Sequence, residues 1–147
     1  MAGRKFERYG PYIVAIASGG IWFISGFSLP KDPSGLLGAS ATLAAVFAGF
    51  LGVSQGLILT IKDSEVYGAL KKTDLLGLLF EYLKEGISGS VMFAIISVAG
   101  FFVAPQGQHM SAGIVRGFGC LWAASGAYSC MTYQRITGIM FKLLNKV

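Results

Sequence analysis

Charge is what this sequence has least of. Only 13% of its 147 residues are Asp, Glu, Lys or Arg, against roughly 25% in an average soluble protein. That is too little to cover a domain of this size with a hydrated surface. Histidine occurs once, at His109, and a lone imidazole in a short loop builds neither a metal site nor a catalytic one. Cysteine occurs twice. Cys120 and Cys130 share one apolar segment, where ten residues of helix hold them about 15 Å apart, beyond disulfide reach. No Cys-x-x-Cys pair points to zinc or redox work. The seven acidic residues all fall outside the apolar runs, which weighs against proton-coupled transport. Glycine loops for phosphate, GxxxxGK[ST] or GxGxxG between a strand and a helix, are missing. These gaps exclude the common enzyme classes. The expectation is a chain without catalytic residues, metal or cofactor.

What is there is apolar. Hydrophobic residues make up 54% of the chain, and the mean hydropathy is +0.64. Four runs have a length near the ~20 residues that cross ~30 Å of hydrocarbon. They are residues 12–29, closed by Pro30; 36–61; 87–104, closed by Pro105; and 111–133. In lipid every backbone polar group must be satisfied within the segment, which makes each run a helix. The first run has a basic flank like that of a signal peptide. It is long and lacks a small-x-small cleavage site, so we read it as a retained anchor. The predicted fold is therefore all-α: one integral membrane domain, residues 1–147, of four transmembrane helices.

The basic residues alternate between the loops. Arg4, Lys5 and Arg8 precede the first run; Lys62, Lys71, Lys72 and Lys84 follow the second; Arg135, Lys142 and Lys146 follow the fourth. Lys31 stands alone in the first loop, and the third loop has no Lys or Arg. The positive-inside rule then puts both termini and the second loop in the cytoplasm of an inner-membrane protein. The net charge of +5 is explained by this topology, without nucleic acid.

Thr73-Asp74 has the form of a helix start. From Leu75 to Glu85 two readings compete: a short amphipathic helix lying on the inner leaflet, or an extension of the third span. The many apolar residues, among them Leu75, Leu78, Phe80 and Tyr82, favour the first. The tail from Ile136 either lies on the leaflet or extends the fourth helix.

Small residues recur every four positions in the second run: Ser40, Ala44, Ala48, Gly52, Gly56 and Thr60. Such a row lets another helix come close, and close packing drives association in lipid. Ala44, Ala48, Gly52 and Gly56 are the candidate packing or homo-oligomer interface. Intramembrane polar groups supply the remaining candidates. Arg116 either snorkels to the outer headgroups or rings the mouth of an oligomeric pore. Gln55 and Ser54 either bond between helices or line a wet path. Lys71, Lys72, Tyr82 and Lys142 are candidates for docking anionic lipid or a cytoplasmic protein partner.

The stretch GASATLAAVFAGFLGVSQGLILTIKDSEVYGALKK, followed by LLFEYLKEGISGSVMFAIISVAGFF, resembles small multi-span bacterial membrane proteins encoded beside phage-defence genes. The likeness spans residues 36–104 and is one of pattern: a small-residue helix, a basic and aromatic cytoplasmic stretch, then a helix re-entering near a Gly/Ser group. It implies a membrane effector that disturbs the envelope on activation, and transfers no residue role. Two functions follow from the sequence: an oligomeric channel or membrane-perturbing effector, and a non-catalytic anchor that docks a cytoplasmic partner.

Overall fold

A computed structural model describes residues 2–27, 29–30, 32–60, 75–103 and 112–144. They form four helices: α1 (Ala2–Ser25), α2 (Ser34–Thr60), α3 (Leu75–Val103) and α4 (Ala112–Leu144). Strands are absent among the described residues. Two of these helices, Ser34–Thr60 and Leu76–Val103, are long and apolar enough to cross a membrane, while Tyr9–Ser25 is a shorter apolar helix.

The helix ends follow local chemistry. Gly26 adopts the left-handed conformation, φ 64°, which stops α1 with a Gly just past its last residue. The predicted first run extends to residue 29; the helix ends four residues sooner because Gly26 turns the backbone out. At the start of α2, Asp32 Oδ1 accepts hydrogen bonds from Ser34 N (3.1 Å) and Ser34 Oγ (2.5 Å). Asp32 thus caps the first turn through its side chain, and Pro33, whose carbonyl accepts the first helical bond from Leu37 N at 2.9 Å, stands just before the helix, where its missing N–H costs nothing. The Ser34 hydroxyl, and then its backbone N–H, hold the Asp32 carboxyl below its ordinary value.

Residues 75–85 correct an expectation. They are not a separate amphipathic helix on the leaflet; they are the first three turns of α3, continuous through Gly86 and Gly89. Of the apolar residues that suggested an interfacial helix, Leu76, Leu79, Tyr82 and Leu83 are buried against the protein, while Leu78 is exposed. The tail likewise continues α4 to Leu144. The proposed helix start at Thr73-Asp74 lies outside the described residues.

The helices form a row, with α2 on α3, α3 on α4 and α4 on α1. Among the described residues α1 and α2 do not pack on each other, so the row does not close into a four-helix bundle. Small residues set the α3–α4 and α1–α4 spacings. A Cβ at Gly89 would lie 2.7 Å from the Tyr128 ring, one at Gly126 3.0 Å from Phe93, and one at Gly119 2.5 Å from Trp22 Nε1. These contacts exist only because glycine lets the facing ring reach the backbone.

Two hydrogen bonds between side chains join α3 to α4 near their middles. Ser90 and Ser129 hydroxyls meet at 3.0 Å, and Trp122 Nε1 donates to Ser97 Oγ at 3.2 Å. Ser40 and Ser54 donate back to the carbonyls of Leu36 and Phe50, the usual solution for a hydroxyl inside an apolar helix.

Candidate functional site

One end of the row differs from the rest. At 1.5 Å per residue, the 29 residues of α3 and 33 of α4 run about 44 and 50 Å, well beyond ~30 Å of hydrocarbon. The start of α3, the end of α2 and the end of α4 meet in a cluster of large buried apolar side chains. Leu51, Ile58, Leu76, Leu79, Tyr82, Leu83 and Ile136 form it, with Tyr133, Ile139 and Met140 packed on its edge.

An ion pair lies beside this cluster. Arg135 Nη2 on α4 donates to Glu85 Oε2 on α3 at 2.8 Å, with the side chains 8% and 29% exposed. The guanidinium carbon stands 4.0 Å from the centroid of the buried Tyr82 ring, so stacking and ion pairing hold Arg135 together. Arg135 was read from the sequence only as a topology signal, and Glu85 only as the end of the 75–85 stretch. The signal that could have found them is their position: Glu85 stands two residues before the third run and Arg135 two residues after the fourth, on neighbouring helices.

From this ion pair a groove of about 570 Å³ runs along the row, with α3 on one side, Ala15 of α1 on the other and α4 as its floor. Its charged end carries Glu81, Lys84 and Glu85; Ser88, Gly89, Met92 and Ile96 continue along α3; Tyr128, Ser125, Ala124 and Leu121 line α4. Ala15, Gly89 and Ala124 give it depth. Tyr128 Oη donates to Tyr12 Oη at 3.4 Å across the floor, with the two rings 5.2 Å apart.

The candidates drawn from the sequence are scattered over the fold. Arg116 is exposed near the start of α4, 5.7 Å from the Phe23 ring centroid. Its Nη2 would lie 3.6 Å from a Cβ at Gly26. A cation there faces the C-terminal end of α1, where the helix dipole favours it. Arg116 therefore stands beside the end of α1. Ser54 is buried and bonded to its own helix; Gln55 beside it is half-buried. Tyr82 is buried beneath Arg135, a correction to its expected role on a docking surface. Lys71 and Lys72 lie outside the described residues. Lys142 belongs to the last turn of α4.

The small-residue row of α2 divides. Ser40 and Ala44 are buried against the protein, Ala48 is half-buried, and Gly52 and Gly56 are exposed. The cause is geometric. At 3.6 residues per turn, a step of four overshoots a full turn by about 40°, so the row winds off the inner face within four steps. Ala45, Gly49, Gly52 and Gly56 then share an outward face. A Cβ at Gly49, Gly52 or Gly56 would meet nothing within 4 Å.

No family model, curated protein or solved structure matches the chain. Among the described residues no cluster of His, Cys, Asp and Glu could hold a metal ion.

Proposed function

We propose that the chain is a four-span inner-membrane protein with cytoplasmic termini, and that copies of it assemble into a channel or membrane-perturbing effector. Two helices with the length and hydropathy to cross, together with the alternation of basic residues, support the membrane part. One observation carries the assembly. Gly86, Gly89, Gly100, Gly119 and Gly126 of α3 and α4 are closely covered by side chains of the same subunit, whereas Gly49, Gly52 and Gly56 of α2 have open space before them; Gly20 of α1 and Gly113, Gly117 and Gly138 of α4 are open too, but only α2 gathers three such glycines within two turns. A glycine face with no partner in its own subunit fits a neighbouring helix in lipid. The resemblance over residues 36–104 supplies phage defence as a setting for such an effector.

The experiment is to measure assembly mass in detergent and ion flux into liposomes, for the parent chain and for Gly52→Leu. The expected result is an oligomer that conducts, with mass and flux both lost on substitution. An unchanged oligomer would count against the α2 interface.

A second reading, a non-catalytic anchor, is favoured by the length of α3 and α4. Their ends continue past a bilayer's thickness on the side of Lys84 and Arg135, where a soluble protein partner could dock. An intact oligomer that passes no ions would leave this reading.

A further inference from the structure

The groove between α1 and α3 has features that helix packing does not require. It is apolar over most of its length and open along its side, where Met92 (58% exposed) and Leu121 (56%) line it. From Ser88 to Ile96 the α3 wall rises by eight residue steps, about 12 Å, close to the half of ~30 Å that one leaflet occupies. At one end only, it carries charges of both signs: Lys84 is exposed, and Glu81 and Glu85 stand one turn or less from it on the same helix.

That combination defines the chemistry of an occupant. An apolar chain alone would gain nothing from the charged end. An anionic headgroup would be drawn to Lys84 and repelled by the Glu81 carboxylate beside it, while the Glu85 charge is offset by Arg135. A simple cation would meet Lys84. A headgroup with a phosphate and an ammonium a few ångströms apart satisfies both signs, and its acyl chain follows the apolar walls. Arg135 leaves this geometry intact, because a carboxylate offers about four acceptor sites and Arg135 takes Glu85 from the α4 side. The volume, about 570 Å³, falls within the ~300–1,000 Å³ of small-molecule sites.

We propose that this groove binds one zwitterionic aminophospholipid of the inner leaflet. Its phosphate lies beside Lys84, its ammonium beside Glu81 and Glu85, and one acyl chain along Met92, Ile96 and Leu121. The inference rests on the membrane reading above. It makes the protein sensitive to leaflet composition at the junction where α1, α3 and α4 meet.

The test uses the full chain, purified in detergent and incubated with an equimolar mixture of phosphatidylethanolamine and phosphatidylglycerol of matched chains. Bound lipid is counted by native mass spectrometry. Phosphatidylethanolamine is expected to be retained about three- to five-fold over phosphatidylglycerol, as one exposed charge pair gives. Lys84→Glu should remove that preference. Leu121→Trp, which fills the groove from an exposed position, should lower retention of both lipids. Equal retention by the parent chain, or a preference that survives both substitutions, overturns the proposal. Carbonate extraction of cell membranes separates the two readings. A chain that stays in the membrane but shows no preference overturns the lipid site alone, and a chain that is extracted overturns both.

Discussion

Arg135 and Glu85, fifty residues apart in sequence, meet at 2.8 Å on facing helices, and the guanidinium is almost wholly withdrawn from solvent. A charge held this way depends on its partner. Glu85→Ala leaves Arg135 over Tyr82 without its carboxylate. The expected loss is about 2 kcal/mol, below the ~3–5 kcal/mol of a fully buried pair because Glu85 is partly hydrated. Replacing both with apolar residues, Glu85→Leu with Arg135→Met, should recover most of it. Thermal denaturation in detergent, run as a double-mutant cycle, measures the coupling. Additive losses would mean that the pair is not coupled.

Gly119 and Gly20 make a matched comparison at the α1–α4 contact. A methyl at Gly119 would meet the Trp22 indole at 2.5 Å, whereas one at Gly20 meets nothing within 4 Å. Trp22 is also held edge-on to Trp122, with centroids 5.9 Å apart, so a retreat of the ring would disturb that contact. Gly119→Ala should destabilise by about 1–3 kcal/mol, as overpacking does. Gly20→Ala should be neutral or slightly stabilising through helix propensity. Equal melting temperatures for the two variants would contradict the packing.

The side-chain cap of α2 gives a pH dependence. Asp32 has its pKa lowered from 3.8 by the hydroxyl and then the backbone N–H of Ser34. A carboxyl with a lower pKa in the folded state binds fewer protons than the unfolded chain as pH falls towards it. The stabilisation is therefore complete above pH 3.8 and is lost as pH drops through the depressed folded value. Asp32→Ala should lower the melting temperature slightly at neutral pH, and the gap to the parent chain should close in acid. A gap that persists below the folded pKa would point to a role other than capping.

Much of the helix framework is legible in the sequence because its cause is local. Long apolar runs compel helices wherever backbone groups find no water, and Pro30 marks the neighbourhood of a helix end. The misreadings have local causes too. The stop at Gly26 depends on one left-handed residue. In the small-residue row of α2, Ser40 and Ala44 are buried within the protein and Gly52 and Gly56 face outward, because a step of four overshoots the 3.6-residue turn.

Composition and the spacing of charges by themselves determined an all-α, apolar chain with its basic residues between the runs, because those properties add up along the chain. Only the tertiary structure decided which helices touch. The choice depends on whether a glycine on one helix faces a ring on another, as Gly89 faces Tyr128 and Gly119 faces Trp22. The same depth of contact decided the fate of residues 75–85. Alone, Leu76, Leu79, Tyr82 and Leu83 have the pattern of a helix seeking a lipid surface. With Leu51, Ile58 and Ile136 beside them they have a protein surface to cover, and burial there joins them to α3, sets Arg135 on Tyr82 and opens the groove that ends at Lys84.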